Sequence, residues 1–145
     1  MKSVNYALRS FYKTAFTGLT VNSIAVPTYY LDAPESETSQ IYITLNTVSN
    51  VDISTKQSAD TNTSMQVQIH TWSDNGNAGK NADDVASAVY SLIYPNPDST
   101  INLDAAGFQA VSISVGNDLV NDHSGRGVRQ YLTRIITFNH NIYHK

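Results

Sequence analysis

The hydrophobic positions of this chain change period several times, and each change marks an element. Val4, Leu8, Phe11, Tyr12, Ala15 and Phe16 recur at three- and four-residue steps, which puts them on one stripe of a helix starting after Ser3. Ser3 is placed to accept a bond from a first-turn amide, and Gly18 to take the left-handed conformation that closes the last turn. From Val21 to Tyr30, β-branched and aromatic residues surround Pro27, which has no amide proton to give a ladder; this predicts an edge strand or extended segment. Pro34, Glu35 and Glu37 then mark a loop. Ile41, Ile43 and Leu45 alternate with Tyr42, Thr44 and Asn46, and Met65, Val67, Ile69 and Thr71 alternate with Gln66, Gln68, His70 and Trp72. Each run predicts a strand with one buried face. Between them, Asn50 to Ser64 has little to bury and reads as a mobile loop or as a long hairpin tip, removable from Ser54 to Thr63 without touching the core.

After the turn Ser73-Asp74-Asn75-Gly76, the residues Ala82, Val85, Ala86, Val89 and Ile93 restore helical spacing. Asn77 or Asn81 is the expected cap, Asp83 and Asp84 sit near the positive helix end, and Pro95 and Pro97 end the helix. Phe108 to Val115 predicts a strand with Val111, Ile113 and Val115 on one face, and Asn117 to Gly127 reads as a polar interruption. In the β-rich run Val128 to Tyr143, Leu132, Ile136 and Phe138 share one parity while Tyr131 and Ile135 take the other, so both faces are partly covered. The expected fold is α+β: a mainly antiparallel sheet with two helices on one face and long hairpin or loop arms, in one domain over 1–145. Trp72 and Tyr131 are expected to pack in the core rather than line a ligand pocket.

Composition narrows the function. Charged residues are only 14% of the chain, against roughly 25% in a typical soluble domain, so Ser, Thr, Asn and Gln must supply the polar surface. Such a surface suits broad protein contacts. A net charge of −3 and the lack of a basic run argue against nucleic-acid binding, which needs clustered positive charge. With no cysteine, there is no disulfide framework, thiolate metal site or cysteine nucleophile. The first 16 residues lack the apolar core and cleavage site of a secretory signal, and no segment approaches the ~20 apolar residues that span a bilayer.

Candidate chemistry is thin. Of the histidines His70, His123, His140 and His144, only the last two have a metal-like interval, and they fall in a β-rich stretch where it does not align both rings. Asp118, Asp122 and His123 precede Ser124, but a polar glycine-bearing loop is a poor setting for a catalytic serine. Asp83 and Asp84 are adjacent on a helix and cannot face one another as acid and base. Gly76 and Gly79 match no phosphate-binding loop. The expectation is no catalysis, no metal and no cofactor.

The order of elements around Gln66-Val-Gln-Ile-His-Thr-Trp-Ser73 is the most distinctive pattern: an alternating strand ending in Trp-Ser, a polar turn, then the helix Ala82 to Tyr94. It resembles the bacteriophage tail-completion family of tail terminators and tail-to-head joining proteins. The opening helix, Val26-Pro27, Ile41 to Leu45 and Gly127 to Ile135 follow the same order, so the resemblance covers nearly the whole chain. It implies a structural virion subunit, no enzyme, that assembles with copies of itself into a ring, typically a hexamer. Its other implied partners are phage tail-tube and head-closure or connector proteins. It would sit at the head-tail junction or tail end, and in host cytoplasm during assembly. A different connector or baseplate subunit, and more remotely a small hydrolase, are the competing readings. Candidate subunit-interface residues are Asp52, Lys56, Asp60, Trp72, Arg126 and Arg129, with Asn50 to Ser64 and the end Asn139 to Lys145 as arms reaching a neighbour.

Overall fold

Strict alternation along the middle strands decides which side of the sheet the helices cover. In the computed structural model, which describes residues 2–123 and 129–145, the chain runs α1 (Asn5–Ala15), β1 (Thr20–Val21), β2 (Ile24–Ala25), β3 (Thr28–Tyr30), β4 (Ile41–Asp52), β5 (Asp60–Ser73), α2 (Ala78–Ile93), a 3-10 turn at Asp104–Ala106, β6 (Phe108–Asp122) and β7 (Gln130–His144). β1 and β2 form a small hairpin. The other strands make one sheet in the order β3-β4-β5-β7-β6, antiparallel except where β3 runs parallel to β4. The pairs Ile43↔Ile69, Leu45↔Val67, Val67↔Ile136 and Met65↔Phe138 set one fully buried face. Against it pack Leu8, Tyr12 and Phe16 of α1 and Val85, Val89 and Ile93 of α2, while Ile101, Leu103 and Phe108 close the end of the core. Fully burying such a side chain contributes about 1.5–3 kcal/mol, so this face carries most of the stabilisation. The predicted α+β architecture, with both helices on one face, is the one observed.

Several local expectations are corrected. The N-cap position of α1 is Val4, and no side chain caps that end, so Ser3 does not serve. Asn77 holds the N-cap position of α2 without a side-chain bond, and Ser73 Oγ instead accepts from the amides of Asn75 and Asn77. Asp83 and Asp84 lie beyond the first turn, where Arg134 binds Asp83 while Asn22 and Lys80 bind Asp84; side-chain partners replace the helix dipole. Gly18 does adopt the left-handed conformation, at φ 72°.

The segment from Asn117 was expected to interrupt the strand, yet β6 runs on to Asp122, paired throughout with β7. Two irregularities hid it, one between Ala110 and Ser112 and one between Val115 and Asn117. Each inserts a residue and reverses the parity, so Ile113 is buried at 6% exposure while Val111 is 57% exposed. At the second, a Cβ on Gly116 would come within 2.7 Å of Asn139 Nδ2, so a larger residue there would displace that side-chain amide.

The end of the chain is no arm either. Asn139 to His144 lies between β5 and β6, with His140, Ile142 and His144 buried. Likewise Asn50 to Asp52 and Asp60 to Ser64 belong to strands, leaving 53–59 as the hairpin tip. Thr61 and Thr63 are buried opposite Ile142 and His140, so a deletion from Ser54 to Thr63 would cut into the sheet.

One polar pair sits inside the core. Tyr12 Oη lies 2.5 Å from His140 Nε2, and His140 Nδ1 has no partner among the described residues. A doubly protonated ring would present a second N–H to apolar surroundings, and burial accordingly pushes the His140 pKa down to about 4. The unfolded chain therefore takes up the proton first, so stability is full above the ordinary histidine range near ~6.5 and falls as pH drops toward about 4. The shift corresponds to about 3 kcal/mol. His70, whose pKa is lowered by its own burial and then by the charge of His123, acts in the same sense. Urea unfolding between pH 7 and pH 4 should show this loss, and His140→Gln, which keeps a partner for Tyr12, should flatten it. An unchanged pH dependence in that variant would exclude His140 as the cause.

Candidate functional site

The sequence-derived interface residues fall at opposite ends of β5. At its start lies the β4–β5 tip, which closes on itself: Asp52 Oδ1 accepts from the Ser54 amide at 2.8 Å, Ser54 Oγ accepts from the Asp60 amide at 3.0 Å, and Ser58 Oγ donates to Asp60 Oδ2 at 2.5 Å. Ser54 lowers the Asp52 pKa, first through its hydroxyl and then through its backbone amide. Lys56 stands exposed on this tip. At the other end are Trp72 and Arg129. Twelve residue steps along a strand of about 3.3 Å rise put the two groups ~40 Å apart, so Asp52, Lys56 and Asp60 do not share a patch with Trp72 and Arg129. Arg126 lies outside the described residues.

The Trp72 end is a built site. Cross-strand register sets Trp72 beside Tyr131 on the face away from the helices, which corrects the expectation that both pack in the core: Trp72 is half-buried and Tyr131 is 45% exposed. Trp72 Nε1 donates to the Ser39 carbonyl at 3.0 Å, fixing the indole against the loop before β4. The Arg129 guanidinium lies 4.2 Å from the indole centroid and grips both Asp74 oxygens, at 2.8 and 3.3 Å. That ion pair holds the Asp74 carboxyl below its usual range. Beside it, Tyr42 stacks on His70 with centroids 4.6 Å apart, and Thr44 Oγ1 lies 2.9 Å from His70 Nε2. Glu37 accepts from Tyr29 Oη and from the Ser39 amide. Of these, Trp72, Arg129, Tyr131, Tyr42, His70 and Glu37 line a cleft of about 540 Å³. Chemically it offers flat aromatic faces with hydrogen-bonding groups at its rim.

Of the candidate cluster Asp118, Asp122, His123 and Ser124, the side-chain partners of Asp118 are defined. Asp118 is taken by Arg134 Nε and Nη2 at 2.9 and 2.8 Å and by Tyr90 Oη at 2.8 Å, while Ser124 lies outside the described residues. Arg134 holds the Asp118 carboxyl low, whereas burial and that carboxylate push Tyr90 up to about 12. Among the described residues no three His, Asp or Glu side chains are grouped to hold a metal ion, and no helix is long and apolar enough to cross a membrane.

What the sequence reading missed is the β6 edge. Ser114 to Asp122 are all exposed, with Leu119 and Val120 at 53% and 55%. The signal was the apolar pair Leu119-Val120 inside a segment otherwise read as polar loop.

No protein-family model and no curated protein sequence matches the chain. In three dimensions it is similar to a chain in the virion of a native gene transfer agent particle, with a TM-score of 0.68, 14% identical residues, and 99% of each chain covered. At that identity the likeness is one of fold, and it spans every element described above.

The single tryptophan makes the cleft observable. Removing the cation in Arg129→Ala should shift Trp72 emission and raise its quenching by acrylamide. Because the Arg129–Asp74 pair is exposed, its loss should leave the urea midpoint almost unchanged. Unaltered emission and quenching would mean that Arg129 does not cover the indole in solution.

Proposed function

We propose that the chain is a structural subunit of a phage-like virion that closes a ring at the tail end or head-tail junction, as a tail terminator or head-tail joining protein. The observation that carries this reading is the fold-wide likeness to a chain of the gene transfer agent virion. The element order that resembles the tail-completion family supports the finer assignment. The sheet adds a physical reason to assemble: among the described residues β6 has a neighbour on one side only and β3 covers only Ile43 to Leu45 of β4, so both sides of the sheet keep backbone without a strand partner. Exposed Val48, Val51 and Ile53 on the β4 side and Val111, Leu119 and Val120 on the β6 side add apolar area that a monomer leaves in water. Each ring contact works against lost translational and rotational freedom, so closure is favoured at high concentration or on a tail-tube template.

Mass photometry and negative-stain microscopy of the concentrated protein, and of protein bound to purified tail tubes, should show closed rings of one stoichiometry, six being expected. A chain that stays monomeric in both settings would refute the ring. Shortening the tip within residues 55–59 to a two-residue turn should keep the sheet and its urea midpoint while weakening tail completion. Normal completion by that variant would remove the tip from the contact.

A further inference from the structure

We infer that neighbouring copies meet through unlike flanks of the sheet: the β6 edge of one copy docks on the α1 flank of a second copy, head to tail. The inference rests on the ring reading above and adds which surfaces make the contact.

The helices divide the covered face between them. α1 lies over β3 and β4, and α2 lies over β5 and β7, so α1 borders one side of the sheet and β6 forms the other. The helix and the far end of β6 differ in charge. α1 holds Arg9 and Lys13 and no carboxylate, whereas β6 holds Asp118 and Asp122 and no cation; Lys2 lies elsewhere, close to Gly107 just before β6. Asp118 shares Arg134 with Asp83, two carboxylates on one guanidinium, so this cluster beside β6 keeps an excess of negative charge. The ion pairs among the described residues all lie away from α1. Asp32 and Glu37 follow Tyr30 in sequence but line the opposite face of the sheet with Tyr42 and His70.

The apolar parts also correspond. On the α1 flank, Tyr6, Arg9, Ser10, Lys13, Tyr30 and Leu45 line a groove of about 330 Å³. The Arg9 guanidinium lies 5.1 Å from the Tyr6 ring centroid and 4.4 Å from that of Tyr30, and Tyr6 itself is 70% exposed. On β6 the longest regular stretch between bulges and strand end is Asn117–Asp122, and there Leu119 and Val120 point to opposite faces between Asp118 and Asp122. One surface is an aromatic groove rimmed by cations; the other is a straight strand whose apolar pair is bracketed by acids. A second copy of this chain carries the matching surface on its far side, and a heterologous contact of this kind leaves both flanks free to repeat.

The chain has no cysteine, so Tyr6→Cys and Val120→Cys introduce its only thiols. When rings of the doubly substituted chain are treated with a flexible bis-maleimide, they should give a ladder of covalent oligomers that stops at the ring size. The two single variants mixed should give dimers, and each alone none. In parallel, Lys13→Asp and Asp122→Lys should each reduce ring formation by about tenfold or more, and the combined variant should recover it. Rings that form without the cross-link, a Val120→Cys chain that dimerises alone, or a charge-swapped pair that stays unassembled beside assembling wild type would each overturn the flank assignment and leave the ring standing. If the cysteines themselves block assembly, the charge-swap series decides. Wild type that never assembles removes the ring reading, and this one with it.

Discussion

Everything else in the molecule is arranged around the unbroken ladder between β5 and β7. Fourteen consecutive residues, Asp60 to Ser73, pair with Tyr143 to Gln130 without a bulge, and β5 alternates half-buried and buried along its whole length. A slip of one residue would send Met65, Val67 and Ile69 to the open face and bring Gln66, Gln68 and His70 under the helices. The register is therefore held by burial on both strands at once, and with it the assignment of one face to the core and the other to the surface. The same ladder keeps the Trp72 cleft and the β4–β5 tip at opposite ends, because a regular strand cannot fold its own ends together.

The alternation in β4 and β5 and the stripes of α1 and α2 were legible because each period is intact in the sequence and each buried face is uniform. The β6–β7 half was harder to read. In β6 the inserted residues at Val111 and Gly116 scramble the parity, and beyond Ile113 the strand has no buried side chain to give it a period. Hydrogen bonds to β7 hold that stretch in place, and a sequence pattern cannot register them. The α2 cap was misread for a related reason: Ser73, the last residue of β5, holds the amides of Asn75 and Asn77 in the turn before the helix, and that bond depends on where the strand ends. Trp72 and Tyr131 were placed in the core because large aromatics usually go there, yet cross-strand parity with His70 and Thr133 puts them on the open face.

Conserving a sheet with two uncovered sides has a structural cost, and the chain carries devices that limit it. The two bulges of β6 break its edge into pieces too irregular for indiscriminate strand pairing, and β3 shields only the start of β4. What remains open is short, and the chemistry beside it differs from one side to the other. The β6 edge thus combines two irregularities with a straight stretch from Asn117 to Asp122.

Symmetry then limits what such a subunit can build. Two β6 edges brought together by a two-fold axis would oppose Asp118 and Asp122 with their own copies, and two α1 flanks would oppose Arg9 and Lys13 with theirs. Like charges in contact cost several kcal/mol once water is excluded, although exposed charges at a distance are screened over about 8 Å in physiological salt. The penalty therefore acts on the docked state, selecting orientation more than supplying affinity. Joining one flank to the other removes both repulsions and leaves each new copy with one free flank of each kind. Repetition of that contact gives a filament or a ring, and the rotation per step decides between them. A tail tube of fixed symmetry would impose that rotation from outside, so weak contacts between free subunits are compatible with a closed ring on the assembled particle.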